Sequence, residues 1–183
     1  MNWKWLDDIL EAIVYGDKPV QKPVVIPQQL SPLIHPLMPK PIINPDVLRS
    51  NWDSQQNNFH NVRVLCDLAG LTLEEKDKIC ACIYQESQFW NYLPSGQPVE
   101  NHNRLNGRIV STDWGIAQIN DYWHITKYPD FVSVESILKN PDRAIEFMIT
   151  AYKAGTLKQW VSYSSGAYKQ WLLPNSPMWK LRT

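Results

Sequence analysis

No Gly-rich phosphate loop, no His/Cys spacing of a zinc site and no internal repeat occurs in the 183 residues. These absences argue against nucleotide-dependent enzymes, zinc modules and solenoids. An excess of one charge is also missing. Lys plus Arg number 18 and Asp plus Glu 18, so no global field draws the chain to nucleic acid or another highly charged partner. No apolar run approaches the ~20 residues of a membrane span. A secretory signal is not visible, because Asp7, Asp8 and Glu11 interrupt residues 1–14 where an apolar core would lie. Met1 is therefore expected at the mature N-terminus, with any export by another route. Cysteine is scarce. Cys66, Cys80 and Cys82 form an odd, bunched set, unlike the disulfide framework of a small secreted domain. Free buried thiols are expected, with a Cys66–Cys80 bridge left open.

Aromatic residues, by contrast, are plentiful, with nine Trp among them. Indole rings suit sugar-binding clefts because pyranose C–H faces stack on them, although most such rings serve as core packing. The length fits one domain with an appendage. Residues 2–16 place Trp3, Leu6, Leu10 and Ile13 on one helical stripe with an acidic opposite face. This predicts an amphipathic helix, 1–16, that docks on the protein's own body or on a protein partner rather than on a membrane surface, which prefers a basic face. Eight prolines between Pro19 and Pro45 forbid regular helix or central strand. Residues 17–45 are expected as an extended linker, and residues 46–183 as the domain that carries the chemistry.

Within 46–183 the spacing predicts a short helix over 44–50, a second over 58–68 and a third opened by a Thr72–Glu75 capping box. The third carries Ile79, Cys82 and Ile83 on its apolar face, and Glu86 falls on the same stripe. A carboxyl there is desolvated and sits at the negative end of the helix dipole, and both effects raise its pKa. That is the requirement for a general acid at neutral pH. Asn106-Gly107 marks a two-residue hairpin with flanks 103–105 and 108–110. Asp113 is expected just after it, in a polar setting that keeps it ionised, in contrast to Glu86; capping of a helical segment 114–119 is its alternative role. Gly115 suggests an unusual dihedral or close approach of backbone to ligand. Gln118 and Asn120 are placed either to bind a ligand's amide groups or to tie down the loop. Tyr122, Trp123 and His124 continue an aromatic lip, His124 as a satisfied surface histidine. Ser133 caps a helix to 139, Asn140-Pro141 opens another to 154 closed by Gly155, and Met178 and Trp179 pack the tail back.

The string Ser111-Thr112-Asp113-Trp114-Gly115-Ile116-Ala117-Gln118-Ile119-Asn120 resembles the chicken-type lysozyme signature around its second catalytic acid. Cys82-Ile83-Tyr84-Gln85-Glu86-Ser87-Gln88-Phe89 resembles the motif around the first, and its Glu-Ser pair also resembles goose-type lysozymes and soluble lytic transglycosylases. The stretch from Asn140 through Gly155, with Trp160 and Tyr163-Ser164-Ser165-Gly166, is similar to the closing helices of the transglycosylases. The likeness covers residues 57–172 and fails at the cysteines, since chicken-type lysozymes are disulfide-stapled. It implies a mainly α, α+β lysozyme-like fold with a small hairpin bordering a cleft. It also implies cleavage of the β-1,4 bond between N-acetylmuramic acid and N-acetylglucosamine in peptidoglycan. Glu86 and Asp113 are then the catalytic pair, with Ser87, Trp114, Gly115, Gln118, Asn120 and Tyr163 around the substrate, Tyr163 in support of the acid. No cofactor, metal or nucleic acid is implied. A lytic transglycosylase that uses Glu86 alone, and a non-catalytic cell-wall or virion protein, are the alternatives. The setting is the bacterial cell wall, reached by phage-type release or a secretion apparatus.

Overall fold

A computed structural model describes residues 52–127 and 129–182. The expected helices over 1–16 and 44–50 and the linker 17–45 lie outside the described residues. Helix α1, Gln55–Leu68, starts three residues earlier than its apolar pattern suggests, because Ser54 caps it by accepting the Asn57 N–H at 3.2 Å. Phe59, Val62, Leu65 and Cys66 recur at helical spacing and are buried. The helix ends on Gly70 at φ +72°, with Leu71 N–H returning to the Cys66 carbonyl.

Helix α2, Leu73–Ser87, opens on the expected capping box, in which Glu75 accepts the Thr72 N–H at 2.8 Å. Residues Ile79 to Tyr84 are all buried, so α2 is wrapped on every side by the rest of the domain. It stops abruptly. Gln88 and Phe89 both adopt left-handed backbone, at φ 53° and 66°, a conformation that costs a non-glycine residue on the order of 1 kcal/mol or more. Their carbonyls are held from α1, by the Gln55 amide at 2.9 Å and the Asn58 amide at 2.6 Å. The Phe89 ring is fully buried edge-on to Phe59. Packing and two hydrogen bonds thus offset the strain.

Three antiparallel strands follow in the order β1 Glu100–Leu105, β2 Arg108–Trp114 and β3 Ile119–Asn120. Asn106-Gly107 makes the turn as predicted, both at positive φ. The strands run longer than the sequence suggests. Asp113 lies inside β2, opposite Asn101 on one side and Asn120 on the other, so it caps no helix. The period of two then brings Asn101, Asn103, Ser111, Asp113 and Asn120 to one face of the sheet.

Beyond the sheet, Tyr122–Lys127 forms a π-helix, and α3, Val134–Lys139, is capped by Ser133. Helix α4, Pro141–Lys153, starts on the expected proline. It buries Ala144, Ile145, Met148, Ile149 and Ala151, with Phe147 and Tyr152 only half-buried. A short α5, Val161–Ser164, and 3₁₀ segments at Leu157–Gln159, Ala167–Leu172 and Pro177–Arg182 follow. Met178 is fully buried and Trp179 packs against the core, as expected of the tail. The three cysteines are free and buried; burial pushes all of their thiols up, Cys80 to about 12. The result is a mainly helical domain with a small, unclosed three-stranded sheet. Among the described residues no helix is long and apolar enough to cross a membrane.

Candidate active site

Consecutive residues at the end of α2 are fixed from three directions. The Gln85 side-chain carbonyl accepts the Trp171 indole N–H at 2.7 Å and the Gln170 amide at 3.0 Å. Glu86 Oε1 accepts the Ser162 backbone N–H at 3.3 Å. The Ser87 hydroxyl donates to the Ile116 carbonyl at 2.7 Å, which ties the helix to the loop after β2. Glu86 therefore presents its carboxyl from a clamped backbone. Burial pushes that carboxyl above the ordinary glutamate range, against hydrogen bonds from Ser162, and the negative charge of Asp113 adds to the rise. The Ser162 side chain is buried beside it.

Asp113 stands on the polar sheet face. Its Oδ2 accepts the Asn103 amide at 3.0 Å and its Oδ1 the Asn120 amide at 2.7 Å. Asn120 is held in turn, donating to Ser111 Oγ at 3.0 Å and accepting the Trp123 N–H at 3.1 Å. The polar shell predicted from sequence is present, but its electrostatic outcome differs. Burial raises the Asp113 carboxyl as well, outweighing the two amides; nearby Asp121 raises it further and His124 lowers it. Both acids are shifted upward, because the sheet face that supplies the amides also removes solvent.

The other residues expected around a ligand divide into struts and walls. Ser87, Gly115 and Gln118 are buried, and all three serve the loop. The Gln118 amide donates to the Gly115 carbonyl at 2.8 Å, with Gln118 itself at φ 51°. Gly115 has φ +70°, and a Cβ there would lie 2.6 Å from Asn91 Oδ1. The close approach is thus to Asn91, which accepts the Ile116 N–H at 3.1 Å and donates to the Leu138 carbonyl at 2.8 Å. Gly115→Ala is expected to cost about 2–4 kcal/mol from left-handed strain plus overpacking. A thermal melt, with Tm lower by roughly 4–16 °C, checks this.

Trp114 points its indole N–H at Asp121 Oδ2, at 3.2 Å, and so lies on the face opposite Asp113. Tyr163 stacks on Tyr168 at 5.3 Å, and the hydrogen bond to Glu86 comes instead from its neighbour Ser162. His124 pairs with Asp130 at 3.1 Å and rests edge-on against Phe147. Asn103, Asn91, Asp121 and Ser162 were not singled out in the sequence. Asn103 was not within reach, because a regular hairpin would pair it with Val110, and only the register shift between Asn103 and Arg104 sets it opposite Ser111 on Asp113's face. Nor was Ser162, because a backbone N–H carries no sequence signal.

In chemical terms the geometry offers a carboxyl of raised pKa on a helix end and a second carboxyl on an amide-rich floor, whose charge adds to the rise of the first. Among the described residues no group of His, Cys, Asp or Glu is placed to hold a metal ion. Comparison with models of known protein families, with curated proteins and with solved structures gives no match.

Proposed function

We propose that the chain is a lysozyme-like glycosidase that hydrolyses the β-1,4 bond between N-acetylmuramic acid and N-acetylglucosamine in peptidoglycan. The observation that carries this reading is the pair Glu86 and Asp113: two partly buried carboxyls of raised pKa on a helix end and a polar sheet face, the charge of Asp113 adding to the rise of Glu86. The substrate comes from the resemblance of the segment 111–120 and of the Glu86-Ser87 pair. Glu86, protonated, gives its proton to the leaving glycosidic oxygen as the C1–O bond breaks. Asp113, ionised, either attacks C1 or takes the proton of the attacking water, so that water ends as the new anomeric hydroxyl plus the proton returned to a carboxylate. Asn103 and Asn120 hold Asp113 in place, and Asn101 extends the polar floor along the strand. The protein acts at the bacterial cell wall.

Loss of turbidity of a peptidoglycan suspension tests the proposal and separates it from a non-catalytic binding or structural role, in which the suspension stays turbid. A lytic transglycosylase is the second reading. Its support is the contact to Glu86 from Ser162 on α5, the part of the chain that resembles those enzymes. Residues 1–45 carry none of the motifs, so a chain of 46–183 is expected to keep cleavage of soluble glycan oligomers within about threefold. Near-complete loss in a folded truncation would make the N-terminal segment part of the cleft.

A further inference from the structure

A groove of about 460 Å³ lies beside the sheet, walled by Val110 of β2, by Tyr122 and Ile125 of the π-helix and by Val132 and Val134 at the entry to α3. Val132 is 85% exposed, an apolar side chain facing water. Among the described residues Asp121 is the one acid that lines the groove. Among the described residues its carboxylate accepts neutral donors, the Thr112 N–H at 2.9 Å and the Trp114 indole N–H at 3.2 Å. Two neutral donors leave acceptor capacity on a carboxylate, and a carboxylate with apolar walls attracts a cation that can lay an alkyl stem along them. A π-helix of six residues is also unusual; such segments are frequent at functional sites. This one has Trp123 hydrogen-bonded to Asn120, the residue that holds Asp113, and lines the groove with Ile125. The groove lies on the Trp114 side of the sheet, opposite Asp113, and the Trp123–Asn120 hydrogen bond joins its π-helix wall to the polar face.

We propose that this groove binds a short aliphatic chain ending in a primary ammonium, with the ammonium on Asp121 and the methylenes along Val110, Ile125 and Val132. Resting on the peptidoglycan reading, the occupant is the amine-bearing diamino-acid side chain of the peptide attached to muramic acid. The groove then reads the peptide while Glu86 and Asp113 act on the glycan, and substrates with a free amine are preferred over those whose amine is acylated in cross-links.

The test uses the full chain and two probes: the tripeptide L-Ala-γ-D-Glu-L-Lys and the same peptide acetylated on its side-chain amine. Methyl NMR titration is expected to shift Ile125 and Val132 with the free amine and to show at least fivefold weaker binding of the acetylated form. Binding is also expected to weaken with added salt, as a charge pair in a partly open groove requires. Asp121→Asn should abolish the preference for the free amine. Val132→Lys, at an exposed position where the fold tolerates charge, should weaken the free-amine peptide at least tenfold by repulsion. Equal binding of both peptides, shifts confined to another surface, or no binding by either peptide overturns the proposal. Turbidity assays on the same preparation report separately on the glycosidase reading, so a chain that clears peptidoglycan yet ignores the amine refutes this inference alone.

Discussion

Glu86→Gln is expected to lower turnover of peptidoglycan by about 10²–10⁴-fold while making the folded chain more resistant to heat. The two effects share one cause. The Glu86 carboxyl is pushed above its ordinary range chiefly by burial, so the folded state holds its proton more tightly than the unfolded chain does. For a group shifted in that direction, stability is greatest below the ordinary glutamate range. It falls as pH rises from there through the folded pKa, where the buried charge is forced on the protein. An amide accepts the same Ser162 N–H and has no proton to lose, so it removes the penalty at neutral pH and leaves nothing to remove at low pH. Tm should therefore exceed that of the parent at pH 7, by about 2–4 °C per kcal/mol relieved, and converge with it near pH 3. Loss of activity accompanied by a higher Tm is the usual signature of a strained catalytic group rather than a structural one. Turnover within tenfold of the parent would remove Glu86 from the mechanism, whatever the melt shows.

The helical part of the fold was legible in the sequence where side chains and caps speak for themselves. Thr72 and Glu75 announced α2, Pro141 announced α4, and the apolar stripe of Ile79, Cys82 and Ile83 placed Glu86 against the core. Less was legible where backbone decides. Ser54 began α1 early because a single hydroxyl satisfied the first turn, and the polar residues after it gave no apolar period to follow. The strands outran their expected flanks for a similar reason. Asn101, Asn103, Ser111 and Asp113 are all polar, so the alternation that marks a half-buried strand is missing from them. That polar face is itself the floor around Asp113, and the feature that hid the strand makes the site. The electrostatics of Asp113 went the other way from the sequence reading because amide partners can be read from composition, whereas the water they displace cannot. The left-handed pair Gln88 and Phe89 had no signal at all, since their conformation is imposed by Gln55 and Asn58 from α1.

Asp113→Asn is expected to reduce the hydrolytic rate by at least about tenfold, and by far more if Asp113 attacks C1 directly, with the products of the residual activity identifying the reaction. A hydrolase needs the second carboxyl ionised. Activity should therefore fall as pH drops through the Asp113 pKa, which burial places above the ordinary aspartate range, and that acid limb should disappear in the variant. The basic limb belongs to Glu86, which must keep its proton. Because the Asp113 charge contributes to raising the Glu86 carboxyl, its removal should move the basic limb to lower pH. A transglycosylase has no such dependence: Glu86 alone donates a proton, the muramic acid 6-hydroxyl closes on C1, and the product carries a 1,6-anhydro end. Mass spectrometry of the parent digest separates the two, since the anhydro product is one water lighter than the reducing one. Reducing ends with a lost acid limb in the variant are the expected result, on the ground that Asp113 acts at the reacting centre whereas the C-terminal helices report only ancestry. Anhydro ends together with a fully active Asp113→Asn would assign the Asn103–Asp113–Asn120 cluster to substrate positioning and leave Glu86, with Ser162, as the whole of the chemistry.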